Sequence, residues 1–275
     1  MNLNRCLTSM VLWSSISASI AMATPPYMWY ATHSVENYVG NGCGVLSGYH
    51  NLANSHEEAD GFNTAIVNPV RSNLIVGRMF RYNRRDADAT RARWLGDQAE
   101  INYVDFLFYS GHGTGFGPTL GCNATYTTDC RTDFRFRGIG YLKWVQASAC
   151  LWFEAPQYAN GVSEFSRWNA SFAGVHTVQG HRAVSYEGSN PAAMSEEFWN
   201  RWVNLGESIY SAWRNAQISC VYENGAHPGL QPATMGANGT FATETYASAG
   251  DAAAPYGATW LGWATVGTPE YPPLP

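Results

Sequence analysis

The sequence predicts an α/β protein organised around a mostly parallel sheet, and three observations carry that expectation. Two short segments, Tyr103 to Tyr109 and Gly140 to Ala147, are so rich in Val, Leu, Phe, Tyr and Trp that they read as strands covered on both faces. The interval between them is long enough for a right-handed crossover between neighbouring parallel strands. Pro191 to Gln217 has the strongest helix pattern in the chain: Pro191 suits a first turn, and Met194, Phe198, Trp202, Leu205, Ile209 and Trp213 recur at three- and four-residue steps.

Taken in order, the first 23 residues have the pattern of an export signal. Arg5 supplies a short positive region, Leu7 to Ile20 a weakly apolar stretch, and Ala21-Met22-Ala23 a small-x-small cleavage site ahead of Pro25-Pro26. The expected mature chain, 24–275, is one domain with a Gly/Ala/Pro-rich C-terminal tail, in a secreted or periplasmic location. Tyr27 to Val35 alternates roughly as a first strand, and the Gly40 to Gly44 cluster must be a turn or loop. Leu52 to Val67 has helical stretches, and Asn73 to Tyr82 reads as a second strand leading into a charged, solvated segment, Arg84 to Arg93. Gly111 to Arg137 has no periodicity, and a stretch of that length between strands is usually functional. Ser171 to His176 reads as a further strand, with Val178 to Ser185 as its exit. No internal repeat is visible.

Composition excludes several classes of partner. The 275 residues carry a net charge of −5, which offers no electrostatic reason to bind nucleic acid, and no later segment has the roughly 20 apolar residues of a membrane span. Removing the signal removes Cys6 and leaves Cys43, Cys122, Cys130, Cys150 and Cys220, an odd number in an oxidising compartment. Cys122 and Cys130 bracket a short loop and are the first expected disulfide, Cys43 with Cys220 the residual one, although connectivity is not fixed by sequence. Cys150 is then the thiol left over. His50, His56, His112, His176 and His181 do not form a zinc signature with Glu57, Glu58 or Asp60, because no His-Glu-x-x-His occurs. Neither a metal nor an organic cofactor is expected.

The chemistry concentrates at two strand ends. "VDFLFYSG" delivers His112 and "YLKWVQASA" delivers Cys150, and in a parallel sheet ligands bind beyond the carboxyl ends of the strands. A thiolate is the nucleophile, an imidazole beside it can take and return the proton, and the amides of Gly113 and Cys150 are candidate donors to an oxyanion. Either residue alone reads more simply as a buried structural group; the pair at matching strand ends favours a shared site.

"FLFYSGHG" and "WVQASAC" resemble the paired signatures of the caspase-like cysteine peptidases, the group of caspases, legumain, gingipain and clostripain. The match is a hydrophobic strand ending His-Gly followed by one ending Ala-Cys, and it extends over roughly residues 100 to 220. Papain-like enzymes carry the two residues in the opposite order. The resemblance implies a caspase-like three-layer α/β/α sandwich and a cysteine endopeptidase acting on a peptide or protein substrate. It also implies Cys150 as nucleophile, His112 as acid/base and Gly113 as an oxyanion donor. The caspase pattern Q-A-C-[RQG]-G is absent, since Gln146 is followed by Ala-Ser-Ala, so an Asp preference is not expected. By the same resemblance the specificity pocket maps near Trp168 to Glu187, which offers His176, His181, Arg182 and Glu187. Glu187 or Glu154 would favour a basic side chain and Arg182 an acidic one; the competing reading of each is a solvated or neighbour-paired group.

Eleven tryptophans raise a rival from another class, an exported caspase-like binding or surface protein whose Cys/His site is inactive or repurposed. Trp144, Trp152, Trp202 and Trp213 all fall in segments expected to be buried, which favours an aromatic core over a stacking surface.

Overall fold

Apolar runs without alternation can form strands only if both faces are covered, and that is how the central strands are used. The computed structural model describes residues 27–38, 50–67, 77–121, 128–185, 190–224, 230–250 and 252–265. Its elements are β1 (Tyr27–Ser34), α1 (Ser55–Val67), β2 (Gly77–Arg85), β3 (Phe106–Ser110), a hairpin of β4 (Gly113–Thr114) and β5 (Gly117–Pro118), and β6 (Trp144–Ser148). There follow α2 (Glu164–Trp168), β7 (Thr177–His181), α3 (Pro191–Trp199), α4 (Ile209–Asn224), β8 (Pro232–Gly236), α5 (Gly239–Ala242) and β9 (Trp260–Trp263). One seven-stranded sheet has the order β2-β1-β3-β6-β7-β8-β9. The first five positions run parallel, and β8 and β9 close the far side antiparallel. The fold is therefore mixed α/β with a mostly parallel central sheet.

Period-two alternation sorts the strand side chains into two cores. Leu107, Tyr109, Val145 and Ala147 pack with Trp94, Phe134, Trp152 and Trp168. Phe106, Phe108 and Trp144 pack with Phe62 of α1 and with Phe198, Trp202 and Trp213 from α3 to α4. Each large aromatic so buried stabilises the fold by about 2–3 kcal/mol through removal of apolar surface from water. The three long helices lie in the second core; the first is roofed by 3-10 turns, α2 and irregular chain. Trp144, Trp152, Trp202 and Trp213 are all buried, as expected of core residues.

Several boundaries differ from expectation for local reasons. The expected helix Pro191 to Gln217 is two helices, separated by a π-helical turn at Asn200–Asn204 and by Gly206, whose φ of +68° stops helical continuation. Leu205 consequently turns outward at 63% exposure, out of the apolar stripe. The strand expected at Ser171 to His176 starts instead at Thr177: Ser171 ends a 3-10 turn, and Gly174, at φ +120°, breaks the extended backbone before Thr177. Strand β2 continues through Arg84 and Arg85, whose guanidinium groups pair with Glu100 and Asp60. The Gly111 to Arg137 stretch holds the β4–β5 hairpin.

Among the described residues, the cysteine of each expected disulfide is a thiol. Cys130 is a buried free thiol whose Sγ donates to Arg167 O at 3.3 Å, and Cys220 is also a thiol. Burial pushes the Cys130 thiol pKa far up, with the Asp129 carboxylate adding to the shift. Cys43 and Cys122 lie outside the described residues, as do the signal segment, the Gly40 to Gly44 cluster and Glu187. Among the described residues, no helix is long and apolar enough to cross a membrane.

Candidate active site at the carboxyl edge of the sheet

In-register pairing levels the strand ends. Ser34 of β1 sits beside Ser110 of β3, and Ser110 beside Ser148 of β6, so the loops carrying His112 and Cys150 leave the sheet along one edge. There they meet in a cleft of about 380 Å³, lined by both residues together with Ser110, Ser148, Ala149 and Ser185. The start of α1, at Asn54 and Ser55, forms the opposite wall.

The glycines around His112 are required by contact. Gly111 has φ +154°, and a Cβ there would lie 2.5 Å from Tyr109 Oη and 2.7 Å from Tyr38 Oη. Those hydroxyls hold the backbone of His112: its N–H donates to Tyr38 Oη at 2.8 Å, and Tyr109 Oη donates to its carbonyl at 2.9 Å. Gly113 packs on the other loop, since a Cβ there would meet the Cys150 carbonyl at 2.5 Å and the Trp152 indole at 2.7 Å. A side chain at 113 would force the two strand ends apart.

The imidazole is oriented as well as placed. His112 Nε2 lies 2.8 Å from the carbonyl oxygen of His50, and its ring packs 4.7 Å from that of Tyr38. A carbonyl only accepts, so in the neutral ring the proton sits on Nε2 and Nδ1 is the basic nitrogen.

Cys150 is fixed by the chain leaving β7. Its Sγ donates to Ser185 O at 3.0 Å and accepts from Ser185 N–H at 3.2 Å. The next residue, Leu151, is held at φ +61° while its N–H donates to Ala183 O at 3.2 Å. A γ-branched residue in the left-handed region costs on the order of 1 kcal/mol and is kept only where the surroundings dictate it.

Of the residues expected in the specificity pocket, the three that are described, His176, His181 and Arg182, are not together. His176 precedes β7 and lies at the amino edge of the sheet, where Nδ1 is 3.0 Å from Glu244 Oε2 and Nε2 is 2.8 Å from Ala252 O. His181 ends β7 and is buried beneath the cleft, with Nδ1 3.1 Å from Ala149 O and Nε2 3.2 Å from Gln217 Oε1; burial lowers its pKa. Arg182 pairs with Glu164 at 2.6 Å and covers the Trp263 ring at 4.1 Å. Glu154 is buried, which raises its carboxyl pKa against the opposing pull of Arg167, and Trp168 is fully buried. His176, His181 and Arg182 are thus engaged in packing and pairing, and Glu187 is outside the described residues. What the sequence reading missed are Tyr38, Tyr109, Ser185 and the His50 carbonyl. Ser185 and His50 act through backbone atoms, which leave no residue-type signal, and the tyrosines look like ordinary strand and turn residues.

The fold and this edge define an α/β protein whose polar, partly exposed groups collect beyond the carboxyl ends of β3 and β6. Residues 35–251 match a family described as a domain of unknown function, DUF6345, and the chain belongs to that family. No curated protein matches the chain.

Proposed function

We propose that this chain is an exported cysteine endopeptidase of caspase-like architecture, with Cys150 as nucleophile and His112 as acid/base. The observation that carries the reading is the placement of both side chains in one cleft at adjacent strand ends, with the imidazole held through Nε2. In the proposed reaction His112 Nδ1 takes the thiol proton and Sγ attacks the peptide carbonyl carbon. The resulting oxyanion is met by the amides of Gly113 and Cys150. The imidazolium then gives its proton to the leaving amine, which departs and leaves a thioester. Water, deprotonated by His112, cleaves the thioester to the carboxylic acid and returns the thiol.

Mass spectrometry after brief treatment of the folded protein with a low concentration of iodoacetamide tests this. Cys150 is expected to alkylate first, with buried Cys130 as the inert internal control, and His112→Ala to slow the reaction at least ~10-fold. A peptide library then locates the cleaved bond. A Cys150 that reacts only on unfolding would sink the peptidase reading, leaving an exported binding or surface protein with a repurposed Cys/His site.

A further inference from the structure

We propose that His181 is a positioning residue for the oxyanion-binding amide of Cys150, an inference that rests on the peptidase reading above. The peptide between Ala149 and Cys150 contains both the carbonyl that His181 binds and the N–H that the reaction needs. His181 Nδ1 lies 3.1 Å from Ala149 O, and the ring is only 1% exposed. A peptide unit is planar and trans, so its C=O and N–H point in opposite directions. Fixing the carbonyl downward onto His181 therefore fixes the Cys150 N–H pointing away from it, toward the cleft that Ala149 and Cys150 line. Donation to a carbonyl also polarises the N–H of the same amide, which strengthens it as a donor.

The imidazole is itself held on two further sides. Nε2 is 3.2 Å from the Gln217 side-chain amide of α4, and the ring packs 5.5 Å from that of Trp213. Both facing atoms, Ala149 O and Gln217 Oε1, are acceptors, and a neutral ring donates from one nitrogen; donation from Nδ1–H to Ala149 O therefore requires the Gln217 amide to turn over and present its NH₂ to Nε2. The following peptide, Cys150–Leu151, is pinned to the same stretch of chain through Leu151 N–H and Ala183 O at 3.2 Å. The end of β7 thereby sets both peptides flanking the nucleophile. His181 is not one of the residues that line the cleft; it acts through the backbone.

Two reactions at the same sulfur separate this role from a merely structural one. Alkylation by iodoacetamide proceeds at a saturated carbon and forms no oxyanion, whereas hydrolysis, and inhibition by an N-acetyl tripeptide aldehyde matching the library's cleaved residue, both place an oxygen against the amides. His181→Leu is expected to lower kcat roughly 10–100-fold and to weaken the aldehyde by a similar factor. KM and the alkylation rate of Cys150 should stay within about twofold. His181→Asn, which can still donate to Ala149 O, should restore most of the loss. Gln217→Leu, which removes only the far anchor, should show the same pattern more weakly and keeps the test open if His181→Leu does not fold. Equal losses in alkylation and hydrolysis, or unchanged kcat and aldehyde affinity in both variants, would overturn the proposal while leaving the dyad standing. Slow alkylation of the wild-type thiol would remove the dyad and this proposal together.

Discussion

The two edges of the parallel strands carry the same kinds of side chain and use them in opposite ways. At the carboxyl edge, His112 and Cys150 are partly exposed on a cleft, and their hydrogen bonds run to loop backbone at His50 and Ser185. At the amino edge, His176 is buried with both ring nitrogens engaged, and Glu244 also accepts from Trp144 Nε1 at 3.0 Å and from Gly250 N–H. Beside it, Lys143 pairs with Asp105 at 3.0 Å, and Asp105 takes the N–H of Trp29. An imidazole closed in by permanent partners stabilises the fold, while one partly exposed on a cleft can meet a substrate. Residue type does not separate the two cases; surroundings do.

Breaking the amino-edge network should have the largest effect on stability and none on the chemistry. Glu244→Ala leaves the buried Trp144 and His176 donors without their acceptor and is expected to cost about 3–5 kcal/mol in denaturant unfolding. Thiol alkylation per folded molecule should be unchanged, and a selective loss of Cys150 reactivity would show that the two edges are coupled.

His33 of β1 sharpens the contrast as an imidazole fully buried in the core. Burial, followed by the nearby Arg93 and Arg84 charges, lowers its pKa to about 3, and Trp94 Nε1 donates to its Nδ1 at 3.2 Å. The folded pKa lies below the unfolded value of 6.5, so the unfolded chain binds the extra proton as the pH falls. Its contribution is complete above pH 6.5 and declines down toward pH 3. From pH 7 to 4 the loss should reach about 3 kcal/mol, and His33→Phe should flatten that part of a stability-versus-pH curve. An unchanged acid slope in the variant would place the pH dependence elsewhere.

The smallest effect tests where specificity does not reside. Arg182→Leu removes the Glu164 pair and should cost about 2 kcal/mol. The preference of the cleft among acidic and basic library peptides should stay within about twofold. A switch of preference would return Arg182 to the specificity role that its pairing argues against.

Much of this was legible in residue order. The buried runs before Ser110 and Ser148, the first strand and helix α1 came from composition and periodicity, because both-face burial demands uninterrupted apolar side chains. The His-Gly and Ala-Cys termini marked the cleft for the same reason, as polar groups standing where burial stops. Helix α3 was legible at its start and misread at its end, since a π turn and a left-handed glycine interrupt the chain while the apolar period continues past them. His176 did not fall with His181 because sequence distance along Trp168 to Glu187 says nothing about which edge each side chain faces. His176 and His181 are five positions apart, one just before β7 and the other at its carboxyl end.

By itself the sequence determined which strands are buried and which two residues crown them, since both follow from local hydrophobicity and from the backbone freedom of glycine. Tertiary structure alone decided that the crowned strands are neighbours in register, that a backbone carbonyl orients His112, and that His181 faces Ala149. Those are contacts between segments distant in the chain, made largely by peptide groups that every residue possesses, so no choice of side chain announces them.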